Sequence, residues 1–363
     1  MRALITTDTV GGVWRFTHEL AAGLLEAGDS VALVSFGQAA SPGQSAECAE
    51  LASRWGLAFR YVDSDVPLEW MQHNDRCFEA GDQLIGAVAQ EFDPDVLHSN
   101  QFCYGALEIG VPKIVTAHSD VLSWARACRG ETLQRSPWLE RYCALVQQGL
   151  DKADAVTTPT QWMLRALKQG FRVSCESRAI PNGRKIANAV PGNGRRMQAV
   201  TAGRLWDEAK GVTFLEKVTS PMQLVIAGAT DCDGSTAPEL KNATLVGPQS
   251  ERELLRLFRE SAVYVCTSRY EPFGLAPLEA ALCGCAVVAR RIESLEEVWG
   301  DAASYFRNAE DLSDMLAWLW EDCGRLRMAQ QRAAERASRY TRAAMVASYR
   351  ALYSSVAETA SVT

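Results

Sequence analysis

The chain has 363 residues, enough for about two domains at roughly 150 residues each. Hydrophobic residues make up 47% and charged residues 22%, a globular balance that excludes disordered and fibrous classes. The net charge is −7, and the first hundred residues carry fifteen acidic side chains against five basic ones, which excludes nucleic acid and anionic membrane surfaces as partners of that half.

The start reads as a strand over 3–6 after a single basic residue, without the apolar core and small-residue cleavage site of a signal peptide. No apolar run approaches the ~20 residues of a membrane span. The eleven cysteines are scattered through apolar segments, as at Cys143, Cys175 and Cys266, and no C-x-x-C spacing is present. A reduced, cytoplasmic protein with no zinc site is expected.

Short β-branched or Leu-rich runs at 30–35, 59–62, 95–98, 113–117 and 155–158 predict further strands, with amphipathic helices between them over 13–27 and 69–90. The alternation breaks at 180–196, where Ile180-Pro181-Asn182-Gly183 and the polar, Gly-rich residues after it read as an interdomain linker. It then resumes with strands at 198–202, 224–227, 244–246, 263–266 and 286–289, and the tail over 310–357 reads as helix. This predicts an α/β protein of two doubly wound, Rossmann-like domains, with a ligand in the cleft between them. The domains are expected over 1–182 and 183–340, with 341–363 as a C-terminal helix packing back on the first.

Four groups of residues could carry chemistry. Gly11 and Gly12 open the first helix directly after the first strand, where a backbone can approach a ligand, although a tight strand-to-helix turn would use the same glycines. His118 ends an apolar strand, followed by Asp120, Trp124 and Arg126, where a satisfied structural histidine would serve as well; His98, at the end of the preceding strand, fits that structural reading better. Arg204 and Lys210, six residues apart beside a strand end, suit the two phosphates of a diphosphate, as they would a solvated loop. In Glu271-Pro272-Phe273-Gly274-Leu275-Ala276-Pro277-Leu278-Glu279, Gly274 and Pro277 shape a helix start. The N–H groups from Phe273 to Ala276 are expected to converge there, bracketed by two carboxylates suited to ribose or hexose hydroxyls. The letters Asp231-Cys232-Asp233 fall in a Gly/Ser/Thr loop and read as a turn, so no metal site is expected.

The span from Glu271 to Glu279 resembles the E-x-x-x-x-x-x-x-E motif of retaining, nucleotide-sugar-dependent glycosyltransferases of the GT-B fold, the family 4 or "group 1" class. Val246-Gly247-Pro248, the run from Glu279 to Val288, Gly203-Arg204-Leu205 with Lys210-Gly211, Ile180-Pro181-Asn182-Gly183, Gly11-Gly12-Val13 and His118 extend the likeness over essentially the whole chain. Two stretches depart from the family pattern. Arg290-Arg291-Ile292-Glu293-Ser294 replaces a small, Gly-rich run, and Asn182-Gly183-Arg184-Lys185 replaces the "N-G-V-D" turn.

The resemblance implies transfer of a hexose from a nucleoside-diphosphate sugar to an acceptor hydroxyl with retention, without a metal and without a cofactor beyond the donor itself. It implies catalytic roles for His118, Glu271, Arg204 and Lys210. Gly11, Gly12, Arg204, Lys210, Glu271, Phe273, Gly274, Leu275, Ala276 and Glu279 would bind the donor, Glu279 at the ribose, Glu271 at the sugar and His118 near its C6 hydroxyl. The acceptor, neutral or carbohydrate-like, would meet Asp120, Trp124, Arg126 and Trp138 on the first domain, with neither nucleic acid nor membrane insertion involved. A nucleotide-sugar epimerase of the same architecture and a non-catalytic donor-binding subunit remain as alternatives.

Overall fold

In a computed structural model, which describes residues 1–186, 195–232, 235–236 and 240–360, the chain divides into two units. Unit 1 comprises Met1–Ser123, Glu131–Gly183 and Thr341–Thr363; unit 2 comprises Trp124–Gly130 and Arg184–Tyr340. The chain leaves unit 1 after Gly183 and returns after Tyr340. Residues 187–194 of the expected linker lie outside the described residues. The span expected for the first domain included Trp124–Gly130, but this segment groups with unit 2, where the Arg129 guanidinium reaches both carboxylate oxygens of Glu208 at 2.9 and 3.2 Å.

Unit 1 is built on seven parallel strands: β1 (Arg2–Asp8), β2 (Ser30–Phe36), β3 (Phe59–Val62), β4 (Val96–Ser99), β5 (Lys113–Thr116), β6 (Ala155–Thr158) and β7 (Glu176–Ala179), in the order β3-β2-β1-β4-β5-β6-β7. Parallel strands need cover on both faces, and the sequence supplies apolar residues to both. Ala3 and Ile5 of β1 enter one core while Leu4 enters the other; Val31 and Leu33 of β2 oppose Ala32, Val34 and Phe36 in the same way. The helix Gly12–Glu26 covers one face through Phe16, Leu20 and Leu24, spaced one turn apart. Onto it packs the C-terminal helix Arg342–Ala360, through Met345, Tyr349 and Tyr353. The two helices approach closely at Gly23, where a Cβ would stand 2.4 Å from Val346 Cγ2. Fully buried His98 fastens the arrangement, with Nδ1 2.6 Å from the Tyr353 hydroxyl, Nε2 2.7 Å from Thr116 Oγ1, and its ring stacked on Tyr349.

Unit 2 has six parallel strands and a small antiparallel pair. The strands are β8 (Arg196–Ala202), β9 (Gln223–Ala227), β10 (Asp231–Cys232), β11 (Ser235–Thr236), β12 (Ala243–Gly247), β13 (Ser261–Cys266), β14 (Ala286–Arg290) and β15 (Ser304–Phe306). The main sheet runs β12-β9-β8-β13-β14-β15, and β10 pairs with β11. Alternation again feeds two cores, with Val263 and Val265 on one face of β13 and Tyr264 and Cys266 on the other.

Two local expectations change. The helix expected over 69–90 begins only at Cys77, because Glu69 is buried and receives the Phe102 N–H at 2.9 Å, which holds residues 69–76 as turns. The expected turn at Asp231-Cys232-Asp233 begins as the short strand β10, while Asp233 itself lies outside the described residues. The tail is helical as expected, in the three helices Ala309–Glu321, Cys323–Ala337 and Arg342–Ala360. Among the described residues, no helix is long and apolar enough to cross a membrane.

Candidate functional site

Each main sheet reverses its strand order at one place, between β1 and β4 in unit 1 and between β8 and β13 in unit 2. Beyond the carboxyl ends of the strands at such a switch point, the loops diverge and leave room for a ligand. The loops after β1 and β4 carry Gly11, Gly12 and Asn100, and those after β8 and β13 carry Arg204, Lys210 and Glu271.

In unit 2 the loop after β8 is laced to the loop after β13. Thr267 Oγ1 donates to Lys210 O at 2.7 Å, and Arg269 N donates to Ala209 O at 2.7 Å. Gly211 makes the turn with φ 56°, and a Cβ there would stand 2.9 Å from Thr267 O. This lacing brings Lys210 Nζ to 2.6 Å from Glu271 Oε2, an oxygen that also accepts from Ser268 Oγ at 3.0 Å. Burial presses the Lys210 ammonium towards neutrality, but the Glu271 carboxylate outweighs it, so the pKa rises and the cation is held. Arg204 adds a repulsive charge to the same neighbourhood and pairs with Asp207 Oδ2 at 2.7 Å. Arg204, Lys210 and Glu271 are thus brought together. Sequence reasoning missed that each cation has its own carboxylate counterpart.

Gly274 caps the helix Leu275–Leu282 with φ 90°, a left-handed conformation that favours glycine. The helix has no side-chain cap bond and no acidic residue in its first turn, and its positive end lies beside Glu271, since a Cβ on Gly274 would stand 3.3 Å from Glu271 Cγ. The Phe273 ring is buried edge-on to Tyr340 at 5.3 Å and belongs to the core, which leaves its backbone as the part able to meet a ligand. Further along the helix, Glu279 lies 2.8 Å from Nε of Arg184, a residue the sequence marked only as a departure in a turn. Glu251 Oε1 lies 2.6 Å from the same guanidinium.

In unit 1, Asp8 Oδ1 accepts from the N–H groups of Val10 and Gly11 at 3.1 and 3.2 Å, shaping the loop that opens the helix Gly12–Glu26. That helix starts at Gly11 with no side-chain cap bond and no acid in its first turn. Asn100 follows β4, and its amide Nδ2 donates to Thr6 O at 2.6 Å. This bond turns Asn100 Oδ1 towards His118 Nε2, 2.8 Å away, so Nε2 carries the hydrogen and Nδ1 is the acceptor of a neutral ring. Burial lowers the His118 pKa to about 3, and the ring sits edge-on to Phe16 at 4.5 Å. Glu69 stands near the same edge; burial raises its pKa to about 7 against the Phe102 N–H that lowers it, and the charge of Asp8 adds to the rise. Nothing in the sequence marks this one loop carboxylate.

The expected acceptor residues divide between the two units. Asp120 is buried, its carboxylate taken by Ser123 N at 2.8 Å and Ser123 Oγ at 2.6 Å, an N-terminal cap for the helix Val121–Arg129. Trp138 donates from Nε1 to Met71 O at 2.8 Å and stacks on Tyr142. Trp124, under the Arg129 guanidinium, and Arg126 belong to the segment grouped with unit 2. Among the described residues, no three His, Cys, Asp or Glu side chains gather as a metal site.

Two sequence profiles match the chain: Glycosyltransferase Family 4 over residues 10–187, and Glycosyl transferases group 1 over residues 203–337. Among curated relatives, alpha-maltose-1-phosphate synthase of Mycolicibacterium smegmatis is 27% identical over 61% of this chain. D-inositol 3-phosphate glycosyltransferase of Mycolicibacterium gilvum is 24% identical over 66% of it. The aligned parts span 66% and 61% of those two proteins, short of two thirds of their length. Among solved structures, sucrose-phosphate synthase from Thermosynechococcus elongatus superposes with TM-score 0.75 over 98% of both chains at 19% identity. Anabaena HepE in complex with UDP-glucose superposes with TM-score 0.68 over 100% of both at 16% identity. These neighbours share the GT-B fold, and with both profiles matched, the chain belongs to the family 4, group 1 glycosyltransferases.

Proposed function

We propose that this protein transfers a hexose from a nucleoside-diphosphate sugar to an acceptor hydroxyl with retention of anomeric configuration. The observation that carries the reading is the Lys210 and Glu271 pair, laced between two loops at a sheet's carboxyl edge with Arg204 alongside. A departing diphosphate develops negative charge, and the cheapest catalysis is to have cations and helix N–H groups already in place where it develops. Lys210, Arg204 and the start of Leu275–Leu282 can do this for the phosphates. A phosphate oxygen would replace the carboxylate as the partner of Lys210, and freed Glu271 would accept a hydroxyl of the transferring sugar. Glu279 would take the ribose, and Gly11 and Gly12 would complete the donor's surroundings. Neutral His118, its Nδ1 an acceptor, would receive the C6 hydroxyl. Stabilisation by protein cations makes a strong protein base unnecessary, the leaving phosphate taking the acceptor's proton, and it also supports a metal-independent reaction.

The relatives carry the names of a synthase and a glycosyltransferase, and one structural neighbour holds UDP-glucose, which supports a nucleoside-diphosphate hexose as donor. The test is incubation with UDP-, GDP- and ADP-sugars, read as free nucleoside diphosphate with and without neutral carbohydrate acceptors. Acceptor-dependent release with an α-linked product from an α-linked donor is expected. Inverted product, or sugar isomerisation without release, would overturn the proposal.

A further inference from the structure

The residue after the linker glycine has a defined place in unit 2. Gly183 sits where two passes of chain are so close that a Cβ would stand 2.1 Å from Thr341 O. Arg184 then donates its N–H to Tyr340 O at 3.0 Å, which fixes the direction in which its side chain leaves the backbone. That side chain is 1% exposed and bridges two carboxylates, with Nε 2.8 Å from Glu279 Oε1 and Nη2 2.6 Å from Glu251 Oε1. Glu251 opens the helix Glu251–Glu260, whose capping box of Ser250 and Glu253 makes it a firm anchor.

A guanidinium at this depth is a poor choice for stability alone. Apolar side chains in place of the guanidinium and its two carboxylates would fill the space without desolvating charge, and the bond to Tyr340 O needs only the backbone. What the guanidinium adds is geometry. Its planar fork holds the two carboxylates in fixed directions, which the freely rotating donors of an ammonium do not. With Oε1 in ion-pair contact, the Glu279 side chain loses rotamer freedom and its carboxylate is kept at this place. An ionised carboxylate has about four lone-pair positions, so it can hold a guanidinium and still accept a hydroxyl.

We infer that Arg184 is a positioning residue that presets Glu279 for the ribose hydroxyls of the donor nucleotide. The inference rests on the proposed role of Glu279 at the ribose. It also gives a purpose to the chain's departure from the family turn at Asn182-Gly183-Arg184-Lys185.

The experiment is calorimetric titration of UDP and of 2′,3′-dideoxy-UDP, with the GDP and ADP pairs in parallel, into the wild type, Arg184→Lys and Arg184→Met, each checked for folding by its melting temperature. The wild type is expected to favour the ribonucleotide about tenfold or more, tenfold being roughly the worth of one hydrogen bond to a charged group. In Arg184→Lys, and more fully in Arg184→Met, the ribonucleotide should weaken towards the dideoxy value while the dideoxy affinity stays unchanged. If Arg184→Met does not fold, Arg184→Lys decides. A wild type that makes no distinction between the two nucleotides removes the ribose reading of Glu279, and the inference with it. A wild type that discriminates, with variants that keep the same ratio or weaken both nucleotides equally, overturns the positioning role alone.

Discussion

At the carboxyl edge of the unit 2 sheet, Arg204, Lys210 and Arg184 each lie against a carboxylate, whereas around His118 at the same edge of unit 1 the contacts join neutral groups. Both edges arise from the same strand order, so the topology says where a ligand can sit but not which. The residues decide that. Paired cations and carboxylates can exchange partners when a charged ligand arrives, at little net cost in buried charge. A histidine kept neutral and held by Asn100 offers one directed acceptor to a hydroxyl and none of the attraction a diphosphate needs.

The comparison breaks most visibly at Lys210. Lys210→Ala removes one charge-assisted contact worth ~1.5–3 kcal/mol, so nucleoside-diphosphate affinity should fall roughly 10–100-fold by calorimetry. Glu279→Gln should weaken the nucleotide and the sugar nucleotide by the same factor, about tenfold, raising KM more than it lowers kcat. Glu271→Gln sharpens the contrast. It removes the carboxylate that competes for Lys210, so binding of free nucleoside diphosphate should be kept or rise a few-fold while kcat falls, because the sugar loses its alignment. Equal nucleotide losses in the two glutamate variants would erase the division between them.

The neutral histidines have a consequence for acid stability. His98 and His118 are both lowered by burial to about 3, from about 6.5 in an unfolded chain. Between these values the unfolded chain binds more protons than the folded one, so their stabilisation is complete above pH 6.5 and is lost as pH falls towards 3. The melting temperature should decline over that window, and His98→Gln, lower at neutral pH, should show a shallower decline. The smallest expected effect is that of a chelator: with protein cations meeting the diphosphate, EDTA should leave turnover largely intact, and loss of activity restored by magnesium would contradict this.

What the sequence made legible follows from the range of the forces involved. β-Branched and Leu-rich runs buried on both faces announce β1, β2, β8 and β13, because burial on each face acts residue by residue. Strand β7, Glu-Ser-Arg-Ala, gives no such signal, since an edge strand needs a ladder on one side only. The helix start at Gly274 and Pro277 was readable because turn chemistry is local, and it placed Glu271 and Glu279 at one loop and helix. Arg184 beside Glu279 and Glu69 beneath Phe102 N are products of tertiary packing between distant segments, and composition or spacing carries no trace of either. The same holds for the bonds that Asp120 accepts from Ser123 N and Oγ, which its position at a strand end does not announce.

The most direct measurement is calorimetric titration of nucleoside diphosphate into the wild type, Lys210→Ala and His118→Ala side by side, with steady-state kinetics on the same preparations. A charge-handling edge on unit 2 and a hydroxyl-handling one on unit 1 predict that Lys210→Ala loses nucleotide affinity, while His118→Ala keeps it and loses kcat. Equal affinity losses in both variants, or an unchanged dissociation constant in Lys210→Ala, would contradict the account.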